Sequence, residues 1–522
     1  MQEISDKTQQ QLITRMLTPS FYNHPVDAVK LVETHISWVF LAGNFAYKLK
    51  KPVNFGFLDF STVEKRRYFC YEELRLNSHF APHIYLDVVQ IGGSPDNPTL
   101  DQDPPIDYVV KMRRFPQSQQ LDRMLDNGLL TTEHLCAFAQ FIAQVHNRCA
   151  IADNTSEYGS SAMVMEPIMQ NFVQIRHLQS SGDILDRINM LETWGKLMRT
   201  KLRDLLIKRK DTGFIRECHG DFHLANMAWF DGGPVVFDCI EFSPNLRWID
   251  VINDIAFLAM DLDDHEQAPN GWRFINRYLQ ISGDYGGVPL LNFYKVYRAL
   301  VRAKVLCLRL SQAGLDKEER HTNLSRMHSY LGLAGQYILP TRAPLLITHG
   351  LSGSGKTVFV NQLAAHCKAI SLHSDLERKR LHNLAETACS GSPVNNGIYS
   401  EAAGKATYDR LYAYAETILQ AGIPVIVDAT FLKKELRYKM MDLAAQLGSS
   451  FIILDFQVAD EELRRRVLMR LTDPKCVSEA DEQVLELQMK TQEELSEQER
   501  RFVIPIDAAT NPVHLAHQIM AV

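Results

Sequence analysis

Gly350-Leu351-Ser352-Gly353-Ser354-Gly355-Lys356-Thr357 stands between an apolar run, Leu345-Leu346-Ile347, and a helical pattern from Val358 through Ala365. Glycines at this spacing let successive backbone N–H groups wrap an anion, and the start of a helix adds positive potential at the same place. With a strand before it and a helix after it, the segment reads as a phosphate-binding loop. Gly350, Ser352, Gly353, Ser354 and Gly355 then form the cradle, Lys356 reaches the β/γ oxygens and Thr357 takes Mg²⁺.

Working outward, Ala369-Ile370-Ser371-Leu372 reads as a second strand ending in Ser374-Asp375-Leu376-Glu377-Arg378. That places Asp375 at a carboxyl strand edge, where ligands collect in such sheets and where it can accept an acceptor hydroxyl's proton. Pro424-Val425-Ile426-Val427 delivers Asp428 to a similar place, either beside the metal or against the substrate. The Asp-x-x-Arg arrangement resembles small P-loop kinases such as polynucleotide kinases, zeta toxins and chloramphenicol phosphotransferase. The resemblance implies Asp375 as base and Arg378 as a substrate-binding residue. Glu462 through Arg470 is similar to the mobile lid of those kinases, with Arg466 and Arg470 on one face to cover the transferring phosphate. A solvated basic helix is the competing reading.

Pro340, Arg342 and Pro344 mark a linker at 336–342, and the chain before it carries a second phosphate-handling signature. His219-Gly220-Asp221-Phe222-His223-Leu224-Ala225-Asn226 sets an Asp five residues before an Asn, so one tight loop offers a base and a metal ligand. The strand Pro234-Val235-Val236-Phe237 then presents Asp238 as a second hard oxygen ligand, with Glu241 shortly after. Upstream, Trp38-Val39-Phe40-Leu41 and Phe45-Ala46-Tyr47-Lys48-Leu49 flank Ala42-Gly43-Asn44 as a hairpin. A charged helical pattern covers 62–80, and further strands are expected at Ile84–Val89 and Tyr108–Met112.

The order of residues in 217–254 resembles the aminoglycoside phosphotransferase family, relatives of the protein kinases. The resemblance implies Asp221 as catalytic base, Asn226 and Asp238 as Mg²⁺ ligands and His219 as a loop-orienting residue, with Asp250 and Asp254 bracing the loop. It also makes Lys48 the strand lysine and Glu73 its ion-pair partner, with Lys50 and Glu72 as alternatives. The glycine-rich phosphate loop of that fold is missing, since Gly43 stands alone. Arg298 and Arg302, four apart on one helix, can face an anionic substrate or pair with acids.

Composition sets the limits. A chain of 522 residues exceeds what one core organises. The expected architecture is therefore α/β and α+β: a bilobal kinase-like domain at 1–335 (small lobe 1–112, helical lobe 116–335) and a P-loop domain with a helix-flanked parallel sheet at 343–522. A net charge of -6 and a pI near 6.3 give no global attraction for nucleic acid. Nine scattered cysteines suggest no disulfide framework, which fits a reducing cytoplasm, and the N-terminus lacks an export pattern. Cys218, His219 and His223 lack zinc spacing, and His349 and His373 receive no role.

The expected function is an ATP- and Mg²⁺-dependent phosphotransferase acting on hydroxyls of small molecules at two sites. A C-terminal polynucleotide 5′-kinase and a nucleotide-binding regulator with one inactive domain are the alternatives.

Overall fold

A computed structural model of the chain describes residues 6–56, 58–94, 96–178, 182–312, 314–340, 343–388, 390–391, 396–470 and 481–521. It divides into two compact units. One comprises Met1–Ala137, Gln144–Pro167 and Lys201–Leu258; the other comprises Phe138–Ala143, Ile168–Thr200 and Ala259–Val522.

The first unit is built on a six-stranded sheet. Its strands are β1 (Val29–Glu33), β2 (Ser37–Ala42), β3 (Phe45–Lys50), β4 (Tyr85–Ser94), β5 (Asn97–Leu100) and β6 (Pro105–Arg113), in the order β1-β2-β3-β6-β4-β5. Every pair is antiparallel. Side chains alternate between faces along each strand, which sorts β3 cleanly. Tyr47 and Leu49 turn towards helix α1 (Asp6–Met16), whose Leu12, Ile13 and Met16 are buried among Phe40, Val89, Ile91 and Val109. Each such side chain contributes roughly 1.5–3 kcal/mol by leaving water. Lys48 and Lys50 turn the other way, towards α2 (Val63–Phe80), which packs on β4 and β6. The hairpin β7 (Met227–Phe230) and β8 (Gly233–Val236) adds Ala228 and Val235 to the core on this side.

Helix α3 (Val251–Asp264) closes the first unit's part of the chain, and α4 (Ala268–Ser282), α5 (Leu291–Leu310) and α6 (Lys317–Tyr337) follow in the second. The second unit's sheet has five parallel strands, β9 (Leu345–His349), β10 (Ile370–His373), β11 (Val425–Asp428), β12 (Phe451–Phe456) and β13 (Val503–Ile506), in the order β10-β11-β9-β12-β13. The central strand β9 is buried at all five positions, as a strand covered on both faces must be. Helix α7 (Lys356–His366) follows the phosphate loop, α8 (Ser374–Leu381) follows β10 and α9 (Asp460–Arg470) precedes the last strand.

One expectation shifts. The chain turns helical at Ser374, so Asp375 lies in the first turn of α8 and not on the strand itself. Within the second unit α4 is bound to strand β10: Asn276 donates to the Ala369 carbonyl at 2.9 Å and accepts from the Ser371 N–H at 2.7 Å. Among the described residues no helix is long and apolar enough to cross a membrane.

Candidate functional sites

In the first unit, β3 and α2 set a buried charge cluster. Lys48 Nζ lies 2.8 Å from Glu73 and 2.5 Å from Asp238; Lys50 Nζ lies 2.6 Å from the other Glu73 oxygen and also binds Glu241. Both lysines therefore use the carboxylate expected for one. Burial acts to raise the Glu73 pKa, but the two ammonium groups outweigh it and hold the carboxyl down at about 2. Glu241, with burial dominant, is pushed up. Glu72, the alternative partner, is taken instead by Arg75 and Arg247.

The two lysines differ in what they face. Asp238 is 47% exposed, so Lys48 borders an accessible carboxylate, whereas Lys50 and Glu241 are sealed. We expect Lys50→Met to destabilise the fold by about 3–5 kcal/mol, because it strands the buried Glu241 carboxylate without its counter-charge and leaves Glu73 with Lys48 alone. Urea unfolding of this variant beside wild type checks this; an unchanged midpoint for Lys50→Met would contradict it.

The loop 219–226 is held by backbone and side chain together. Gly220 adopts φ +82°, and a Cβ there would stand 2.6 Å from the Leu246 carbonyl oxygen, so only glycine fits. Asp254 on α3 accepts from the His219 and Gly220 N–H groups at 3.0 and 2.9 Å and meets His146 Nε2 at 3.2 Å. Asp254 thus braces the loop, but Asp250 does not: it pairs with Arg209 and accepts from the Ile252 N–H.

His219 Nε2 binds the Phe237 carbonyl at 2.9 Å and Nδ1 accepts from the Asp221 N–H at 3.3 Å, which requires a neutral ring protonated at Nε2. Burial lowers its pKa below the ordinary 6.5. The unfolded chain therefore binds this proton more readily, and the stability from His219 is complete above about pH 6.5 and lost as pH falls towards the lower folded value. Thermal melting from pH 7.5 to 5.5 should show a decline in this range that His219→Gln reduces.

Asn226 Nδ2 donates to Asp221 at both its carbonyl (3.0 Å) and Oδ2 (2.9 Å), which leaves the amide oxygen as the atom suited to a cation. The β7–β8 hairpin sets Phe237 N–H on the Asn226 carbonyl at 2.9 Å and so brings Asp238 beside the loop. Asp238 itself adopts φ +65°, a conformation unfavourable for a residue with a side chain. Asp221, Asn226 and Asp238 thus supply hard oxygens at this loop, and Asp238 also faces Lys48.

In the second unit the loop 350–355 runs from β9 into α7, and at Gly353 (φ +89°) a Cβ would stand 3.1 Å from the Leu463 carbonyl oxygen of α9. Lys356 Nζ folds back on the Gly350 and Leu351 carbonyls at 2.9 and 2.7 Å and on Ser354 Oγ at 3.2 Å. Thr357 Oγ1 donates to Asp428 at 2.6 Å, and His373, the register neighbour of Asp428 on β10, binds the same carboxylate oxygen at 2.9 Å. Burial alone would raise the Asp428 pKa; the His373 hydrogen bond, with Lys356 and Thr357, lowers it on balance. An ionised carboxylate bound to the loop threonine fits a Mg²⁺ site.

Arg378 lies 2.9 Å from Asp375 at i,i+3 and over the Tyr399 ring at 5.2 Å. Arg466 binds Glu462 at 2.6 Å and approaches the Gly353 carbonyl at 3.4 Å, so α9 does lie against the loop. The side chain of Arg470 lies outside the described residues. Arg298 is buried over Tyr297, and Arg302 reaches the Tyr330 hydroxyl at 3.5 Å.

The loop separates two cavities. One of about 520 Å³ is lined by Lys356, Thr357, Asp375, Arg378 and Asp428, and the other, about 850 Å³, by His349, Gly350, Leu351, Ser354 and Asp455. The histidines set aside on sequence grounds are thus at the site, His349 binding Asp455 at 2.6 Å as its cross-strand neighbour. His349, His373, Glu241 and Asp455 are residues of these sites that sequence reading left without a role.

Residues 345–495 match the family described as an AAA domain. The chain is 31% identical over 455 residues to the uncharacterized protein Rv2004c of Mycobacterium tuberculosis, covering 86% of this chain and 88% of that one. The chain belongs to the family of that mycobacterial protein. Among solved structures it is similar to the amicoumacin kinase hAmiN, seen with AMP-PNP, Ca²⁺ and Ami, at 13% identity and TM-score 0.41 over 64% of this chain and 96% of that one. It is also similar to a sugar kinase from Janibacter sp. HTCC2649, at 18% identity and TM-score 0.27 over 34% and 93%. The AAA-domain match falls on the parallel sheet and its phosphate loop, so this part is a P-loop nucleotide-binding fold.

Proposed function

We propose that this chain is an ATP-dependent phosphotransferase with two sites, one on the first unit's Lys48–Glu73–Asp238–Asp221 constellation and one on the phosphate loop of the second. The two catalytic domains correspond to residues 1–335 and 343–522, and the acceptors are hydroxyl groups of small molecules. The observation that carries the reading is the position of the phosphate loop between two cavities, with room for a nucleoside on the His349 side and an acceptor on the Asp375 side.

Phosphoryl transfer needs positioning and charge stabilisation more than covalent chemistry. In the second site Lys356 exchanges loop carbonyls for phosphate oxygens, and Arg466 approaches from α9. An acceptor hydroxyl oxygen bonds to the γ-phosphorus, the bond to the bridging oxygen breaks, ADP leaves with the electron pair, and the hydroxyl proton passes to Asp375. Arg378 holds the acceptor. In the first site Asp221 takes the proton, His219 orients the loop and Lys48, held by Glu73, meets the phosphates. Mg²⁺, when bound, neutralises charge on the phosphates; Asn226 and Asp238 would hold it in the first site, Thr357 and Asp428 in the second. The Asp428 carboxylate, held down in pKa and bonded to the loop threonine, supports this metal-side role over substrate contact.

The test is Mg·ATP consumption with a deproteinised metabolite extract, comparing wild type, Asp221→Asn and Lys356→Ala and following phosphorylated products by mass. Two products, each lost in one variant, support the reading. ATP binding without any product would replace it by a nucleotide-binding regulator.

A further inference from the structure

Helix α4 lies outside residues 345–495, yet it lines the acceptor side of the phosphate loop within the same compact unit. Its end is fixed by Gly283 at φ +73°, where a Cβ would come within 2.7 Å of Arg380 Nε. Its Asn276 side chain, 6% exposed, satisfies the N–H and C=O groups of strand β10, the edge of the parallel sheet. One turn on, Gln280 Nε2 donates to His373 Nε2 at 3.0 Å. That bond leaves the His373 proton on Nδ1, where it is donated to Asp428, which also receives the Thr357 hydroxyl. A continuous chain of hydrogen bonds therefore runs from α4 to the residue that follows the phosphate-loop lysine. On the same helix Arg277 makes a bidentate pair with Glu386, at 2.8 and 3.0 Å, on the cavity wall.

The charges of this wall cancel. Three cations, Arg277, Lys356 and Arg378, face three carboxylates, Asp375, Glu386 and Asp428. Arg277 is paired with Glu386 and Arg378 with Asp375, and Lys356 is committed to the loop and its phosphate. An anionic acceptor would have to displace a carboxylate from a guanidinium. Paired guanidinium and carboxylate groups instead offer fixed donors and acceptors side by side, which is what vicinal hydroxyls satisfy. Tyr399 and Tyr408 add apolar ring surface with hydroxyl tips to the same wall.

Resting on the phosphotransferase reading of the second site, we propose that α4 completes its acceptor pocket and that the acceptor is a neutral polyhydroxylated small molecule bound through Arg277–Glu386 and Gln280. Gln280 is then both a wall of the pocket and a positioning residue for Asp428 through His373. The cavity of about 520 Å³ suits a molecule of monosaccharide size.

The full chain is titrated calorimetrically, with Mg·AMP-PNP present, against ribose, glucose and myo-inositol, and against glucose 6-phosphate and a 5′-hydroxyl oligonucleotide. Saturable binding of a neutral polyol is expected, weakened at least tenfold in both Arg277→Ala and Gln280→Ala, with AMP-PNP affinity retained in Arg277→Ala. Gln280→Ala leaves the Arg277–Glu386 pair intact, so a loss there does not come from breaking that pair. Tighter binding of either anion, no saturable polyol binding, or unchanged affinity in both variants overturns the inference while the kinase reading of the loop stands. AMP-PNP affinity equal in wild type and Lys356→Ala means that the loop reading itself is wrong, and the acceptor pocket falls with it.

Discussion

Lys356→Ala should lower phosphoryl transfer at the second site by about 10²-fold or more, the scale seen when one preorganised charge stabiliser is removed. The ammonium is buried and already collected by three oxygens of its own loop, Gly350 O, Leu351 O and Ser354 Oγ. Its charge is therefore held within the loop before nucleotide arrives, and on this reading it has only to exchange those oxygens for phosphate oxygens. Alanine removes that charge and also leaves the buried Gly350 carbonyl without the lysine donor, at a cost of about 1–3 kcal/mol where no water replaces it. The same variant should accordingly melt at a lower temperature. Lys356→Arg separates the two effects, since its guanidinium can keep the loop carbonyls bonded while placing charge differently at the phosphate. Recovery of melting temperature without recovery of rate is the expected pattern. A wild-type rate in Lys356→Ala, read on a product that Asp221→Asn still makes, would remove the phosphate-loop role.

What could be read from the chain beforehand follows from the range of the interactions. The phosphate loop and the 219–226 loop are local: their chemistry is carried by residues within eight positions, and the strand and helix around each are set by nearby apolar pattern. The Lys48–Glu73 pair was legible through the resemblance to kinase-like folds, which sets a strand lysine against an acid of the following helix. The choice between Lys48 and Lys50 was not, since both point to the same side of β3 and the structure uses both. Asp250 and Asp254 looked alike in sequence; only the turn into α3 directs Asp254 to the loop and leaves Asp250 to Arg209. His373 had no readable role because its partners lie 55 residues ahead on a neighbouring strand and 93 residues behind on α4. For the same reason a Pro-rich linker near 340 did not foretell that α4 would be bound to β10.

At the first site, Asp221→Asn should lower transfer by about 10²–10⁴-fold, the usual contribution of a positioned general base, while Mg·ATP affinity stays near wild type. Asn226 Nδ2 donates to Asp221 Oδ2 at 2.9 Å, and an asparagine in place of Asp221 can still accept that bond through its amide oxygen. The loop therefore keeps its shape, its backbone N–H groups at 219 and 220 remain on Asp254, and the Lys48–Glu73 pair is untouched. What disappears is the carboxylate, 37% exposed, that can receive a proton from an acceptor. If Asp221 acts on the acceptor alone, a fall in kcat without a fall in ATP affinity distinguishes loss of the base from collapse of the site. Lys48→Met is the counterpart: it should weaken ATP binding as well as rate, because it removes the ammonium that faces Asp238 and the phosphates. If Asp221→Asn transfers phosphate at the wild-type rate, the base lies elsewhere on the loop. If it loses ATP binding in step with rate, Asp221 acts through the metal and not on the acceptor.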